Sequence, residues 1–166
     1  ELYWRTGRYA EAEGALEASL ALFQGAGDRV GEAAATRSLG IVSVHLGRLA
    51  EARSRFERCI ALSRALGDVA GVAGAIANLG VALDNLGLPQ EAQAHFEEAR
   101  ALARSIGHRQ FEATAIGNIG LALHGAGRFE EAQALFERHL ELAREIGDRQ
   151  GEASASGNLG LVLRAL

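Results

Sequence analysis

The side chains best suited to ligand binding are three asparagines, Asn78, Asn118 and Asn158, which recur at intervals of 40 residues. A carboxamide both donates and accepts hydrogen bonds, so a row of them suits the capture of an extended peptide through its backbone. The alternative is structural, because most side-chain hydrogen bonds are internal or made to water. In that case the amides would bond to neighbouring helices. The sequence leaves both interpretations open.

Other reactive side chains form no catalytic or metal-binding pattern. Cys59 is the single cysteine, and its position on the packed face of a predicted helix indicates a small buried residue rather than a nucleophile. The glycines do not follow the order of a phosphate-binding loop. No HExxH or Cys–His ligand spacing occurs among the five histidines, which we predict to be solvated: His45, His95, His108, His124 and His139. We therefore predict a protein that is not an enzyme, with no catalytic residues, no metal site and no cofactor.

Charge also limits the classes of partner. The chain has 17 basic and 21 acidic residues and a net charge of -4, which disfavours non-specific attraction to nucleic acid or to an anionic membrane. Glu51 and Glu57 interrupt the one basic run at spacings that allow ion pairs on a helix surface. The one aromatic residue within that run, Phe56, is predicted to pack between helices, which leaves none for base stacking. The members of the run are Arg48, Arg53, Arg55, Arg58 and Arg64.

Length and composition predict one folded domain. The chain has 166 residues, 48% of them apolar, and a single proline, so it can bury a sizeable core without a disulfide or metal. It lacks a run of 18 apolar residues and the layout of a signal peptide, and we predict a cytoplasmic protein. Every basic residue is arginine, which is typical of a high-GC bacterial genome. Because methionine is absent, we expect the chain to be a segment of a longer protein.

The strongest pattern in the sequence is an internal repeat of 40 residues. Each period contains two amphipathic helical patterns separated by glycine. Asp68 and its counterparts occupy N-cap positions, and the preceding glycines can end the previous helix in the left-handed conformation. The pattern predicts a stub helix at residues 1–6 and helices near 9–25, 29–46, 49–66, 69–86, 89–106, 109–126, 129–146 and 149–166.

Small residues at fixed positions predict close packing of these helices. Glycine within a helix costs about 1 kcal/mol relative to alanine, so its recurrence at Gly40, Gly80, Gly120 and Gly160 implies close helix approach. We predict that the repeated phenylalanines, Phe56, Phe96 and Phe136, fill the space between successive helix pairs. Such pairs stack into a solenoid with one concave side.

These positions resemble the tetratricopeptide repeat family. Leu39-Gly40, Ala52 and Phe56, with their copies, resemble its small and large signature positions. The 40-residue period resembles its long-helix subgroup, which includes Leu-Gly-Asn repeat adaptors, kinesin light chains and the arrays of bacterial multidomain regulators. The resemblance covers essentially the whole chain. It implies an all-α fold, a right-handed α-solenoid of stacked antiparallel helix pairs. His139 departs from the family pattern, since Ser19, Cys59 and Ala99 are its smaller counterparts.

The resemblance also implies where a ligand would bind. In this family the first helix of each pair lines a concave groove, and here that groove would contain Arg37, Asn78, Val81, Asp84, Asn85, Asn118, Leu121, His124, Asn158 and Leu161. Only Arg37 and Arg164 are basic on this face, so a carboxylate clamp is not expected. Val81, Leu121 and Leu161 would give an apolar floor, although core packing explains them equally well. We predict a scaffold that binds a peptide or helix of a partner protein, or of another domain of the parent chain.

The ends of the array suggest an alternative function. Helix 149–166 carries Leu159, Leu163 and Leu166 with no following helix in this chain, while the stub at the other end leaves helix 9–25 incompletely covered. Terminal repeats normally need a polar cap for solubility. The alternative is therefore a structural segment that forms a homo-oligomer through its terminal helices.

Overall fold

The computed structural model describes residues 8–166, which form eight α-helices and no β-strand within that range. The predicted stub at residues 1–6 lies outside the described residues. We number the helices α1 (Tyr9–Ala26), α2 (Arg29–His45), α3 (Leu49–Leu66), α4 (Val69–Asn85), α5 (Pro89–Ser105), α6 (Arg109–Gly125), α7 (Phe129–Glu145) and α8 (Arg149–Leu163).

Local sequence explains where these helices begin and end. The Asp68 carboxylate accepts a hydrogen bond from the backbone N–H of Gly71 at 2.8 Å, and Asp28 and Asp148 cap α2 and α8 in the same way. Where the aspartate is missing, His108 Nδ1 accepts from the N–H of Phe111 at 3.4 Å. Gly67 has a φ of 70° and ends α3 in the left-handed conformation that only glycine adopts without strain.

The structure moves several predicted helix ends by one to three residues. The ends predicted at 46, 86, 106, 126 and 146 are one residue late, because those residues are the C-caps that precede a left-handed glycine. Helix α1 extends to Ala26, one residue beyond its predicted end. Helix α8 ends at Leu163 instead of 166, with Arg164 as its C-cap, although the backbone N–H of Leu166 still donates to the carbonyl of Val162 at 3.1 Å.

Consecutive helices pack against one another along the whole described chain, so the prediction of an all-helical solenoid is confirmed. The three complete pairs are α2–α3, α4–α5 and α6–α7. The prediction for the phenylalanines is wrong, because each ring fills a notch within its own pair. A Cβ added to Gly80 of α4 would lie 2.5 Å from Cε1 of Phe96 on α5, and Gly40 and Gly120 meet Phe56 and Phe136 in the same way. Gly160 has no atom within 4 Å of such a Cβ.

The curvature of the stack is visible in which helices touch. The first helices of successive pairs contact each other, α2 with α4, α4 with α6, and α6 with α8. The backbones of the second helices, α1, α3, α5 and α7, stay farther apart, with no Cα–Cα distance of 8 Å or less between these helices in the described chain, although long side chains such as Arg64 and Glu98 bridge them. The first helices therefore form the inner, concave side of the stack.

A buried carboxylate joins the first three helices. Glu32 of α2 is 3% exposed and accepts hydrogen bonds from Gln24 of α1 at 3.3 Å, Arg29 at 3.0 Å and Arg58 of α3 at 2.7 Å. The bond from Arg58 is the largest cause that lowers the pKa of Glu32, and burial opposes it. The members of the predicted basic run are all paired, for example Arg48 with Glu13 at 2.7 Å and Arg64 with Glu98 at 3.6 Å. This pairing explains why the run makes no unopposed positive surface.

Candidate functional site

The candidate site is the concave groove, which we define as the surface lined by α2, α4, α6 and α8. It consists of two cavities. The narrow half has a volume of about 280 Å³ and lies between α2, α4 and α6. The open half has a volume of about 800 Å³ and lies between α6 and α8, with His139 of α7 also lining it.

The three asparagines lie in these two halves. Asn78 lines the narrow half, whereas Asn118 and Asn158 line the open half. All three are half-buried. Nowhere in residues 8–166 does any of their side-chain amides find a hydrogen-bond partner. The structural alternative requires these amides to bond to neighbouring helices, and no such bond is found among the described residues.

The apolar residues predicted for the groove have different environments. Leu121 and Leu161 are 45% and 49% exposed and line the open half, so they are not core residues. Val81 is half-buried and packs against the core instead. The core-packing alternative thus describes Val81 and not the two leucines.

The remaining predicted groove residues are divided between the groove and its surroundings. Arg37 lines the narrow half. Asp84 and Asn85 are exposed and line neither half, and Asn85 Nδ2 donates to the carbonyl of Val81 at 3.0 Å near the end of α4. His124 also lies outside both halves, where its ring stands edge-on to that of Phe129 with centroids 5.3 Å apart.

Side chains explain why the two halves differ in width. In the narrow half, Arg37 and the ring of Phe111 cover Gly74, at 3.3 and 3.6 Å from the position a Cβ would occupy there. In the open half, the counterparts of Arg37 are Gly117 and Gly157, and the counterpart of Phe111 is a glycine as well. The loss of these side chains leaves the larger cavity.

The prediction of a solvated His139 is wrong. This residue is 7% exposed and its ring lies over Gly117, so that a Cβ on Gly117 would be 2.8 Å from Nδ1. Burial lowers the pKa of His139, with a smaller opposing effect from the charge of Asp148. The imidazole fits because residue 117 is glycine. Sequence reasoning missed this pair, although the unusual residues at 117 and 139 were its signal.

Chemically, the groove offers hydrogen bonding and apolar contact. The open half is lined by one carboxylate, that of Asp148, and by no arginine or lysine. Cys59 is buried outside the open half, and its burial raises the pKa of the thiol. In residues 8–166, no group of three or more His, Cys, Asp or Glu side chains could hold a metal ion.

Comparison with known proteins identifies the family. The sequence profile of the tetratricopeptide repeat family matches residues 1–65, 33–105, 68–145 and 111–166, which together span the whole chain. The chain belongs to the tetratricopeptide repeat family. No curated protein sequence matches it significantly. Among its described helices, none is long and apolar enough to cross a membrane.

Solved structures share this tetratricopeptide fold at low sequence identity. BtubC (BKLC) from P. vanneervenii is 21% identical with a TM-score of 0.80, aligned over 99% of this chain and 68% of that chain. Aspartyl phosphate phosphatase F from Bacillus subtilis is 12% identical with a TM-score of 0.84, over 97% and 42% of the two chains. A Rap protein complexed with Competence and Sporulation Factor is 16% identical with a TM-score of 0.85, over 99% and 49%. The chain thus spans less than half of the last two proteins.

Proposed function

We propose that this protein is a non-catalytic interaction scaffold whose concave groove binds a peptide segment of a partner protein, or of another domain of the parent chain. The observation that carries the proposal is the row formed by Asn78, Asn118 and Asn158. These amides face the groove on successive first helices and have no hydrogen-bond partner among the described residues. A peptide backbone offers both the donors and the acceptors that such amides lack.

The apolar residues of the groove support the same function. Leu121 and Leu161 are exposed on the same helices as Asn118 and Asn158, so amide and apolar contacts alternate along the open half. A peptide with spaced hydrophobic side chains, or one amphipathic helix, would bury both leucines. Family membership supports a protein partner as well. The cytoplasmic location and bacterial origin stay predictions from the sequence.

The test is a binding measurement on matched variants. Peptides are first selected on the intact protein from a phage-displayed library of random dodecapeptides, and one is labelled for fluorescence polarisation. Replacing Asn78, Asn118 and Asn158 by alanine should weaken binding about tenfold or more, since each lost hydrogen bond contributes roughly 0.5–1.5 kcal/mol. The melting temperature should change little, because these amides make no internal bonds.

The control variant carries Gln90→Ala and Glu130→Ala, two exposed positions of matching register on the outer helices α5 and α7. It should bind the peptide like the unaltered protein. A large loss of stability with unaltered affinity in the asparagine variant would assign those residues to the scaffold and refute the proposal.

A second candidate function is self-association through α8. It is favoured by the exposure of Leu163 and Leu166, which are 62% and 59% exposed. Leu159, the third predicted contact, is half-buried and packs against the core. A homo-oligomer would therefore use Leu163 and Leu166 more than Leu159.

A further inference from the structure

We propose that the open half of the groove is a specificity subsite that recognises a carboxamide side chain, glutamine or asparagine, of the bound peptide. His139, Asn118 and Asn158 would supply its hydrogen bonds. The inference rests on the proposed function and adds the chemical class of the side chain that the groove selects.

The first observation is an enclosed histidine without a partner. His139 is only 7% exposed, and its Nδ1 atom has no hydrogen-bond partner among the described residues. The Nε2 atom also bonds to no described residue, yet it is not fully enclosed. Since His139 lines the open half, Nε2 is the ring nitrogen that a groove ligand can reach.

The surroundings of the ring decide which nitrogen carries the proton. Burial lowers the pKa of His139, so the neutral imidazole is favoured and only one nitrogen is protonated. Nδ1 lies against Gly117 and has no hydrogen-bond partner among the described residues. A buried N–H without an acceptor is rarer in proteins than an acceptor that lacks a donor. The proton therefore belongs on Nε2, where it can be donated to a ligand.

Charge and space then select the ligand group. A donor on Nε2 and the donors of two free carboxamides require an acceptor oxygen. A carboxylate would bring negative charge next to Asp148 into a cavity that no arginine lines, and this disfavours glutamate and aspartate. A carboxamide supplies the same oxygen without charge, and its NH₂ group can donate to the oxygens of Asn118 and Asn158. Gly157, where an added Cβ would meet no atom within 4 Å, leaves room for this side chain.

The rest of the array indicates that the subsite is a local feature. The counterparts of His139 are Ser19, Cys59 and Ala99, none of which carries an imidazole. Ala99 lines the narrow half, at the repeat position that His139 occupies in the open half. Specificity for a carboxamide should therefore be found at one position of the peptide only.

The experiment compares selected peptides on three forms of the protein. Random dodecapeptides on phage are selected against the unaltered protein, against His139→Ala and against His139→Phe. Alanine is the residue of the preceding repeat and should be tolerated, while phenylalanine keeps a planar ring and removes the donor. We expect glutamine or asparagine to be enriched at one position with the unaltered protein and not with either variant.

Binding of synthetic peptides provides the quantitative test. Changing the enriched glutamine to methionine, which keeps the length and removes the acceptor oxygen, should weaken binding to the unaltered protein about tenfold. The same change should weaken binding to His139→Phe less than about threefold, because the donor is already absent. In ¹⁵N NMR spectra, His139 should show a proton on Nε2, and its resonance should shift when the peptide is added.

Several results would overturn the inference. Enrichment of glutamate or aspartate would mean that a charged imidazolium binds an anion, and enrichment of apolar residues would mean recognition by shape. Equal selectivity in His139→Phe would remove the histidine from the subsite. In these cases peptides still bind and the proposed function stands. If the unaltered protein selects no peptide at all, the proposed function fails, and this inference fails with it.

Discussion

Replacing Gly80 by alanine should destabilise the array, although alanine is the better helix former. In an open helix the change would stabilise the protein by about 1 kcal/mol. Here the new Cβ would lie 2.5 and 2.7 Å from Cε1 and Cδ1 of Phe96, well inside ordinary carbon–carbon contact. The ring is 3% exposed and is held in the core, so it cannot swing aside. Overpacking of this kind costs about 1–3 kcal/mol, and after the gain in helix propensity is subtracted the net destabilisation is up to about 2 kcal/mol.

Urea unfolding followed by far-UV circular dichroism measures this difference, and in thermal unfolding the melting temperature should fall by up to roughly 8 °C. The control is Gly160→Ala, the same register position in α8, where a Cβ meets nothing within 4 Å. This variant should be as stable as the unaltered protein or up to about 1 kcal/mol more stable. Adding Phe96→Leu to Gly80→Ala should recover part of the loss. If Gly80→Ala and Gly160→Ala behave alike, the close contact between glycine and phenylalanine does not explain the recurring glycine.

Further predictions concern charge and association. Burial lowers the pKa of His139 below 6.5, so its contribution to stability is complete above pH 6.5 and is lost as the pH falls from there toward the folded pKa. Urea unfolding at a series of pH values should show this loss of stability in the unaltered protein and not in His139→Gln. The pKa of Glu32 is lowered from 4.5, so its contribution to stability is present above pH 4.5 and is lost as the pH falls below 4.5 toward the folded pKa. The free energy of unfolding of Glu32→Gln should therefore fall less steeply in acid than that of the unaltered protein, and an equally steep fall would contradict the role of the Glu32 network. Light scattering should show a mass that rises with concentration and no longer does so after Leu163→Glu with Leu166→Glu. Ile106→Glu, at a residue 42% exposed in the middle of the array, should change nothing, and a constant monomer mass would reject self-association.

Much of the fold could be predicted because its signals are local. Asp68 caps a helix three residues away and Gly67 ends the preceding one, so both act within one turn of the chain. The contact of Phe96 with Gly80 depends on how two helices pack, and the periodicity of either helix gives no information about it. The same physical reason explains His139, which is buried because Gly117 on another helix leaves space for its ring. Its residue type led to the prediction of a solvated side chain, although its counterpart Cys59 was predicted to be buried.

The most direct test of groove binding is site-specific photo-cross-linking with a selected peptide. A photoreactive phenylalanine analogue is placed at Leu121 or Leu161 in the open half, or at Ala94 or Ala134, exposed positions on the outer helices α5 and α7. A concave binding groove predicts cross-links from Leu121 and Leu161 that excess unlabelled peptide abolishes, and none from the outer positions. Cross-links of equal yield from Ala94 and Ala134, or only from them, would contradict the assignment of the binding site to the concave groove.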